Sequence, residues 1–335
     1  MSGQTPILRV EHLKKYYPVK GGIFGRKIAD LKAVDDVSFT VDPAETLGIV
    51  GESGCGKSTL GRQIVGLEKP SGGSIFYQNQ ELTAMKKPQL ASIRTELSMV
   101  FQDSYSSLNP RKHIYEILAE PMLYHHLADR GNVEKKVRDL LDMVGLSANV
   151  MGRYPHEFSG GQRQRVGIAK ALSLNPKLVV CDEPVSALDV SIQAQILNLL
   201  KDLQKERDLT LLFIGHGLGA VSYVSDRIAV MYLGQIVEIA DTRELFANAV
   251  HPYAKALFAA APSPNPRDRD RKGAILTGEV ASAVSPPSGC RFHPRCPYAT
   301  ERCRKEMPRL MPIREGSSHL AACPVFAKEE VRSDG

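Results

Sequence analysis

A glycine-rich segment with the sequence GESGCGKST occupies residues 51–59. It follows an apolar run of strand length, residues 46–50, and precedes a stretch of helical character that begins near Lys57. Between a strand and a helix, such glycines let backbone N–H groups turn inward around phosphate oxygens, and the helix dipole adds to the attraction. The segment therefore predicts a nucleotide site, with a plain glycine-rich turn as the alternative.

Individual side chains of this loop suit different tasks. Lys57 can reach the β- and γ-phosphates, and the Ser58 hydroxyl can ligate Mg²⁺. Cys55 is predicted to act as a spacer in the loop, with no thiol chemistry of its own. The nucleotide-binding residues predicted in the loop are Gly51, Ser53, Gly54, Cys55, Gly56, Lys57, Ser58 and Thr59.

Three apolar runs have the length of buried strands and predict the core of the fold. They are residues 46–50, 178–182 and 211–214. Continuous apolar runs of this kind suit a parallel sheet that helices cover on both faces. Between the last two runs, apolar residues recur at helical spacing at Ile192, Ile196, Leu199, Leu200 and Leu203. The alternation of strand and helix predicts a doubly wound α/β fold.

A helical region is predicted from about residue 112 to residue 158. Within it, one apolar face is formed by Val133, Val137, Leu140, Leu141 and Val144. By contrast, residues 21–27 (GGIFGRK) are predicted to form an exposed loop, because three of the seven residues are glycines.

The overall composition is that of an ordinary globular chain. Its 335 residues, 43% apolar and 24% charged, allow two or three domains. The sequence has no run of 18 apolar residues, so we expect no membrane span, and its first residues lack the features of a signal peptide, which favours the cytosol. A net charge of +6 with interspersed signs predicts no nucleic-acid partner.

Two carboxylates end the strand predicted at residues 178–182. Asp182, at the carboxyl end of that strand, is placed to hold Mg²⁺ through water or through Ser58. Glu183 would lie nearer the γ-phosphate and could polarise the attacking water. The alternative is a buried strand that ends in a solvated acidic turn.

A second phosphate-contacting element is predicted at residues 158–162 (FSGGQ), ahead of a helix that runs roughly from Gln162 to Ser173. A serine and two glycines at the start of a helix offer a hydroxyl and free N–H groups to a phosphate. In isolation this pattern is more typical of a simple helix cap.

Taken in order, these segments resemble the motifs of the ATP-binding subunits of ABC transporters. Residues 51–59 resemble the Walker A motif, residues 178–183 the Walker B motif, and residues 158–162 the family signature, with phenylalanine where leucine is commonest. The match covers about residues 7–325. It implies a P-loop NTPase of ABC type, with a RecA-like core around a parallel sheet, an antiparallel β subdomain, a helical signature subdomain and a small C-terminal cysteine module.

Three shorter motifs extend the resemblance. Gln102 matches the Q-loop, residues 186–189 (SALD) match the D-loop, and His216 matches the switch histidine. The family usually has threonine or serine before this histidine and aspartate after it, whereas this chain has Gly215 and Gly217. Glycine at 217 removes a carboxylate and loosens the backbone, which leaves the turnover rate open.

The resemblance implies a composite ATP site between two facing subunits, in which the nucleotide joins the pair and hydrolysis releases it. It assigns catalytic roles to Glu183, His216 and Gln102, and Mg²⁺ binding to Ser58, Gln102 and Asp182. The residues that would serve the partner's ATP or line the interface are Ser159, Gly160, Gly161, Gln162 and Asp189. Tyr17, with Tyr16 as the alternative, is predicted to stack on the adenine, and an edge-strand tyrosine is the structural alternative for either.

Several segments resemble one branch of the family, the dipeptide, oligopeptide and nickel importers. They are residues 102–111 (QDSYSSLNPR), residues 154–157 (YPHE) and residues 251–253 (HPY). The 21–27 insertion resembles the F-type member of the two paired ATPases of these systems. The resemblance implies a paralogous ATPase as heterodimeric partner, with a homodimer as the alternative. It also implies two permease subunits, whose coupling helix would contact residues 103–125. Finally, it implies an extracytoplasmic peptide-binding protein as an indirect partner, and a peripheral location on the cytoplasmic face of the inner membrane.

Four cysteines follow a stretch with the composition of a linker, residues 262–272 (PSPNPRDRDRK). They are Cys290, Cys296, Cys303 and Cys323. Four thiolates match the ligand count of a 4Fe–4S cluster, and the same importer branch carries this pattern and such a cluster. Zinc, with His293 in place of one thiolate, and a metal-free cysteine core remain alternatives. Cys181 is predicted to be a strand residue only.

These features predict three parts: a nucleotide-binding domain over residues 1–260 with its helical subdomain at about 103–165, a linker over 261–285, and a cysteine module over 286–328. The predicted function is ATP hydrolysis that powers the import of short peptides. A nickel or other solute importer and a low-activity regulatory subunit are the alternatives, and a DNA-repair or ribosomal ATPase is disfavoured because the chain has one cassette and no sustained heptads.

Overall fold

The computed structural model describes residues 5–21, 26–103, 105–260, 279 and 281–325. The strands are β1 (Leu8–Gly21), β2 (Arg26–Val41), β3 (Thr46–Val50), β4 (Gly72–Tyr77), β5 (Gln80–Glu81), β6 (Leu97–Val100), β7 (Leu178–Asp182), β8 (Thr210–Ile214), β9 (Arg227–Tyr232), β10 (Gln235–Asp241), β11 (Met311–Pro312) and β12 (Leu320–Ala321). The α-helices are α1 (Lys57–Ile64), α2 (Lys87–Ile93), α3 (Ile114–Tyr124), α4 (Val133–Met143), α5 (Gly160–Leu172), α6 (Val190–Arg207), α7 (Leu218–Val224), α8 (Thr242–Asn248), α9 (Pro252–Ala259) and α10 (Glu301–Lys305).

The larger of the two sheets in the described residues has the strand order β11-β12-β10-β9-β3-β8-β7-β6. Strands β9, β3, β8, β7 and β6 pair with one another in parallel. Strand β10 pairs with β9 in antiparallel fashion, and β12 and β11 continue the sheet with antiparallel pairing. Every residue of β3, β7 and β8 is buried. Strands covered on both faces are apolar throughout, and for this reason the three apolar runs predicted them correctly.

A second, antiparallel sheet has the order β2-β1-β4-β5. The loop predicted at residues 21–27 is shorter than expected. Both of its ends belong to the hairpin of β1 and β2, in which Gly21 pairs with Arg26 and Lys20 with Lys27. Residues 22–25 lie outside the described residues.

The helical region lies between β6 and β7 and contains α3, α4 and α5. The five apolar residues predicted to form one face of α4 are all buried, which confirms that prediction. Helix α5 begins at Gly160, two residues before the predicted start, because Ser159 caps it. None of the helices in the described part of the chain is both long and apolar enough to cross a bilayer.

The C-terminal segment joins the larger sheet instead of forming a separate layer. In β12, Ala321 pairs with Glu238 and Leu320 with Ile239 of β10. Most of the predicted linker at residues 261–285 lies outside the described residues, but the Ala283 carbonyl accepts a 3.0 Å hydrogen bond from Lys32 N–H in β2. The predicted α/β class, with a parallel core, an antiparallel subdomain and a helical region, is confirmed.

Candidate functional site

The glycine-rich loop connects β3 directly to α1, as its flanking residues predict. Gly56 precedes the helix with φ 106°, a left-handed conformation that glycine adopts at little cost. A Cβ atom at this position would lie 2.0 Å from the Ala33 carbonyl oxygen. Residue 56 must therefore be glycine for the loop to approach β2 so closely.

The Lys57 side chain is 4% exposed and is held against the loop itself. Its Nζ atom donates hydrogen bonds to the backbone oxygens of Gly51, at 2.8 Å, and Glu52, at 3.1 Å. The loop thus contains a fixed positive charge at the N-terminus of α1, where an anionic phosphate is favoured.

Ser58 and Asp182, two of the predicted magnesium ligands, are in direct contact. Ser58 Oγ donates a 2.8 Å hydrogen bond to Asp182 Oδ1. Burial raises the pKa of the Asp182 carboxyl, and the Ser58 hydrogen bond opposes this rise. A hydroxyl and a carboxylate oxygen are hard donors that suit Mg²⁺, so these two residues fit that ion.

The three residues predicted to be catalytic converge on one carboxylate. Gln102 Nε2 donates a 2.9 Å hydrogen bond to Glu183 Oε2, and His216 Nδ1 lies 3.3 Å from the same oxygen. The three follow β6, β7 and β8, whose carboxyl ends lie at one edge of the parallel sheet. Glu183 has φ 47°, and its backbone N–H donates to the Ile214 carbonyl at 2.9 Å. The Glu183 carboxylate can accept a proton from a water molecule while Gln102 and His216 orient the carboxylate.

The FSGGQ segment forms a reciprocal cap at the start of α5. Ser159 Oγ accepts a 3.3 Å hydrogen bond from Gln162 N–H, and Gln162 Oε1 accepts one of 3.1 Å from Ser159 N–H. Gly160 and Gly161 follow directly, and a Cβ atom at Gly161 would lie 2.5 Å from a methyl group of Ile192. Among the described residues, no hydrogen bond or ion pair joins this segment to residues 51–59.

Asp189 and Val190, at the beginning of α6, are exposed. The Val190 side chain is 81% exposed, which is unusual for a branched apolar residue. The predicted D-loop residue is therefore accessible on the surface of this chain.

The two candidate adenine-stacking tyrosines have different neighbours. The Tyr17 hydroxyl donates a hydrogen bond to Glu68, and burial raises its pKa while the nearby Thr59 side chain of α1 lowers it. The Tyr16 hydroxyl instead donates to Asp35. The surroundings favour Tyr17 over Tyr16 at the nucleotide.

The four C-terminal cysteines are free thiols. Burial, with Cys303, Cys323 and Cys296 nearby, raises the pKa of Cys290 to about 11. His293 Nδ1 is 2.9 Å from the Cys290 carbonyl oxygen. No group of three or more His, Cys, Asp or Glu side chains in the described residues is arranged to hold a metal ion. Neither the predicted 4Fe–4S cluster nor the zinc alternative is therefore confirmed by the described residues.

Sequence reasoning missed two residues that contact this site. Arg295, between the first two cysteines of the module, forms a two-pronged ion pair with Glu52 of the glycine-rich loop. The pair joins residues 243 positions apart, and its sequence signal is weak. Glu52 lies in the glycine-rich loop and Arg295 in the cysteine module. Opposite charges in these two motifs are the sequence signal for their pairing.

Comparisons with known proteins agree with this geometry. Residues 34–186 match the family model described as ABC transporter, and residues 237–303 match the model described as oligopeptide/dipeptide transporter, C-terminal region. The oligopeptide transport ATP-binding protein AppF of Bacillus subtilis is 48% identical over 97% of this chain and 99% of its own length. OppF of Escherichia coli, also an oligopeptide transport ATP-binding protein, is 48% identical over 96% of each chain.

Among solved structures, the ATP-binding cassette MJ0796, in a dimeric post-hydrolysis state bound to ADP and Pi, is similar with a TM-score of 0.63. It is 28% identical in sequence and covers 70% of this chain and 99% of its own. The predicted ABC-type fold is thereby confirmed. This chain belongs to the ATP-binding proteins of ABC transporters, a family that hydrolyses ATP to power transport.

Proposed function

We propose that this chain is the ATP-hydrolysing subunit that powers the import of short peptides across the cytoplasmic membrane. The observation that supports hydrolysis most directly is the convergence of Gln102 and His216 on the Glu183 carboxylate. The peptide substrate is supported by the match of residues 237–303 to the oligopeptide/dipeptide transporter region and by relatives named for oligopeptide transport.

In this proposal the phosphates of ATP bind between the backbone N–H groups of residues 51–59 and the Lys57 ammonium group. Ser58 and Asp182, together with Gln102, would hold Mg²⁺, which would neutralise charge on the phosphates. Glu183 accepts the proton of the attacking water, and His216 and Gln102 position that water near the γ-phosphate. Tyr17 stacks on the adenine.

The site is completed by a second ATPase subunit. Ser159, Gly160, Gly161 and Gln162 are displayed at the start of α5, with no hydrogen bond to the glycine-rich loop in the described part of this chain. They would therefore contact the ATP of a facing subunit, with Asp189 at the interface. The solved dimer of a similar cassette supports this arrangement, and the F-type resemblance favours a paralogous chain as the partner.

A surface for the permease lies beside the Q-loop. A cleft of about 390 Å³ is lined by residues of β6 and α5, by Phe101 and Ser107 of the segment after β6, and by Pro121 of α3. Phe101 is 38% exposed and Tyr105 is 53% exposed. An amphipathic helix of a permease could bury these rings, so residues 103–125 are the proposed contact with the two permease subunits. The chain would then be peripheral on the cytoplasmic face of the membrane, and a solute-binding protein would act on the far side.

The organisation of the chain follows the same proposal. Residues 1–260 form the nucleotide-binding domain, with the helical subdomain at about 103–165, and residues 286–328 form the cysteine module after a linker over 261–285. In that module Cys290, Cys296, Cys303 and Cys323 would hold a 4Fe–4S cluster, whose ligand sulfurs are farther apart than those around one zinc ion. Two of the four are joined by the backbone, because Cys290 N–H donates a 2.8 Å hydrogen bond to the Cys303 carbonyl.

The cluster is tested by metal analysis and a visible spectrum after anaerobic purification. About four irons per chain with broad visible absorption would support it, and Cys290→Ser should then lower the iron content. One zinc per chain and no colour would replace the cluster by a structural zinc site. If neither iron nor zinc is found, the module is a metal-free core of cysteines.

The transport function is tested in proteoliposomes that contain this chain, its partner ATPase and both permeases. ATP-dependent uptake of labelled di- and oligopeptides, in the presence of the binding protein, is the expected result. Uptake of Ni²⁺ without peptide uptake would overturn the substrate class. Peptide uptake that persists after Lys57→Ala would exclude this chain as the motor.

A further inference from the structure

The C-terminal module reaches the nucleotide site through one arginine. Arg295 Nη1 donates to Glu52 Oε2 at 3.0 Å, and Arg295 Nη2 donates to Glu52 Oε1 at 3.2 Å. A guanidinium that binds both oxygens of a carboxylate forms a strong and directional ion pair. The Arg295 side chain is 6% exposed, so solvent screens this pair less than a surface pair.

Glu52 is the second residue of the glycine-rich loop and is held from a second side. Its backbone N–H donates a 2.9 Å hydrogen bond to the Tyr253 hydroxyl. Phe292 packs edge-on against Tyr232 with ring centroids 5.3 Å apart, and its ring is 5.5 Å from Tyr253. The carboxylate and the backbone of Glu52 are therefore both fixed by groups that meet at the cysteine module.

The module that bears Arg295 is itself firmly attached. Arg291, 3% exposed, donates to Asp35 and to the Leu233 carbonyl. The adjacent Gly234 N–H donates a 2.8 Å hydrogen bond to the Cys55 carbonyl in the loop. Further along, the buried His319 and Glu238 side chains are 2.6 Å apart. Arg295 thus projects from a platform that is bonded to both sheets.

A carboxylate in a phosphate-binding loop carries an electrostatic cost, because its negative charge repels the phosphates of ATP. Arg295 removes that cost by pairing with Glu52 and fixes the direction of its side chain. This proposal rests on the proposed role of residues 51–59 in binding ATP. We propose that Arg295 is a positioning residue through which the C-terminal module neutralises the Glu52 carboxylate and fixes its direction, so that the loop can accept the phosphates of the nucleotide.

The test measures MgATP affinity by calorimetry on the full chain, together with kcat and KM for hydrolysis. Arg295→Gln keeps the length of the side chain and removes its charge, and it should weaken MgATP binding about tenfold while kcat changes less. Arg295→Lys keeps the charge but cannot bind both carboxylate oxygens, so its MgATP affinity should lie between those of the wild type and Arg295→Gln. The double variant Arg295→Gln with Glu52→Gln should recover most of the lost affinity, because the uncompensated carboxylate is gone.

The matched control is Arg302→Gln on α10 of the same module, where Arg302 is exposed and pairs with Glu306 at 2.7 Å. It should leave affinity unchanged. Lys57→Ala separates the two proposals: if it does not weaken binding, the ATP site itself is wrong. If Lys57→Ala weakens binding but Arg295→Gln does not, or if Glu52→Gln fails to restore affinity in folded protein, the positioning role of Arg295 is overturned. Should Arg295→Gln fail to fold, the same comparison is made with Arg295→Lys and its double variant with Glu52→Gln.

Discussion

Gln102 Nε2 donates a 2.9 Å hydrogen bond to Glu183 Oε2 and so links the carboxyl ends of β6 and β7. Gln102 immediately precedes residues 103–125, the segment proposed to contact the permease. A movement of that segment would therefore change the contacts of the carboxylate proposed to activate water. If both proposals hold, this hydrogen bond is a direct physical route from the permease to the carboxylate proposed to activate water.

Removing the loop lysine tests nucleotide binding. Lys57→Ala deletes the ammonium group that donates to the Gly51 and Glu52 carbonyls. We expect MgATP affinity to fall at least about tenfold because a charged phosphate contact is lost. Calorimetric titration measures it, with Lys305→Ala on the exposed surface of α10 as the control. Equal affinity in the Lys57 and Lys305 variants would contradict the assigned site.

Restoring the family's aspartate after the switch histidine tests the departure at Gly217. A Cβ atom at Gly217 meets nothing within 4 Å, and the residue precedes α7, where aspartate is a favoured cap. Gly217→Asp should therefore preserve or raise the steady-state ATPase rate.

Gly215→Thr is the contrasting variant, because a Cβ atom there would lie 2.8 Å from a methyl group of Val221. We expect it to lower the thermal midpoint. A sharp loss of ATPase activity in Gly217→Asp would instead show that the glycine is required at this site.

The buried Asp182 carboxylate predicts a pH-dependent cost to stability. Burial raises its pKa above the unfolded value of about 3.9, so the folded state binds the proton more tightly. The folded state therefore loses stability as the pH rises from the unfolded pKa to the folded pKa. In nucleotide-free protein, Asp182→Asn should raise the thermal midpoint by about a few degrees at neutral pH, and the gain should vanish toward pH 4.

Thermal unfolding across pH, without nucleotide, measures this difference. Asp139→Asn, which changes an exposed carboxylate on α4, is the control and should have little effect. The same Asp182→Asn variant should lose Mg²⁺-dependent hydrolysis. A lower midpoint than the wild type at neutral pH would show that the charge of Asp182 stabilises the fold.

The sequence predicted the parts of this protein whose signals are local. The apolar runs of β3, β7 and β8 and the single buried face of α4 follow from strand and helix periodicity. Gln102, Glu183 and His216 were identified because each follows a strand end or matches a family motif. Their convergence on one oxygen needed the parallel order of β6, β7 and β8, which only the structure gives.

Long-range contacts of the C-terminal segment had no such signal. Strands β11 and β12 contain two residues each, too few for any alternation to be recognised. Arg295 and Glu52 are charged residues in separate motifs, and nothing local indicates that they pair across 243 positions. Sequence patterns therefore predict the elements and the nucleotide motifs, but not how the cysteine module attaches to the loop.

The most direct test of the account is Glu183→Gln, measured for both hydrolysis and binding in the same preparation. The amide cannot accept a proton from water, so the rate of ATP hydrolysis should fall by about 10²-fold or more. MgATP binding should be retained, and the nucleotide-bound pair of ATPase subunits should persist. Glu134→Gln on the exposed face of α4 is the control and should behave as the wild type. Undiminished hydrolysis in Glu183→Gln would contradict the proposed catalytic carboxylate.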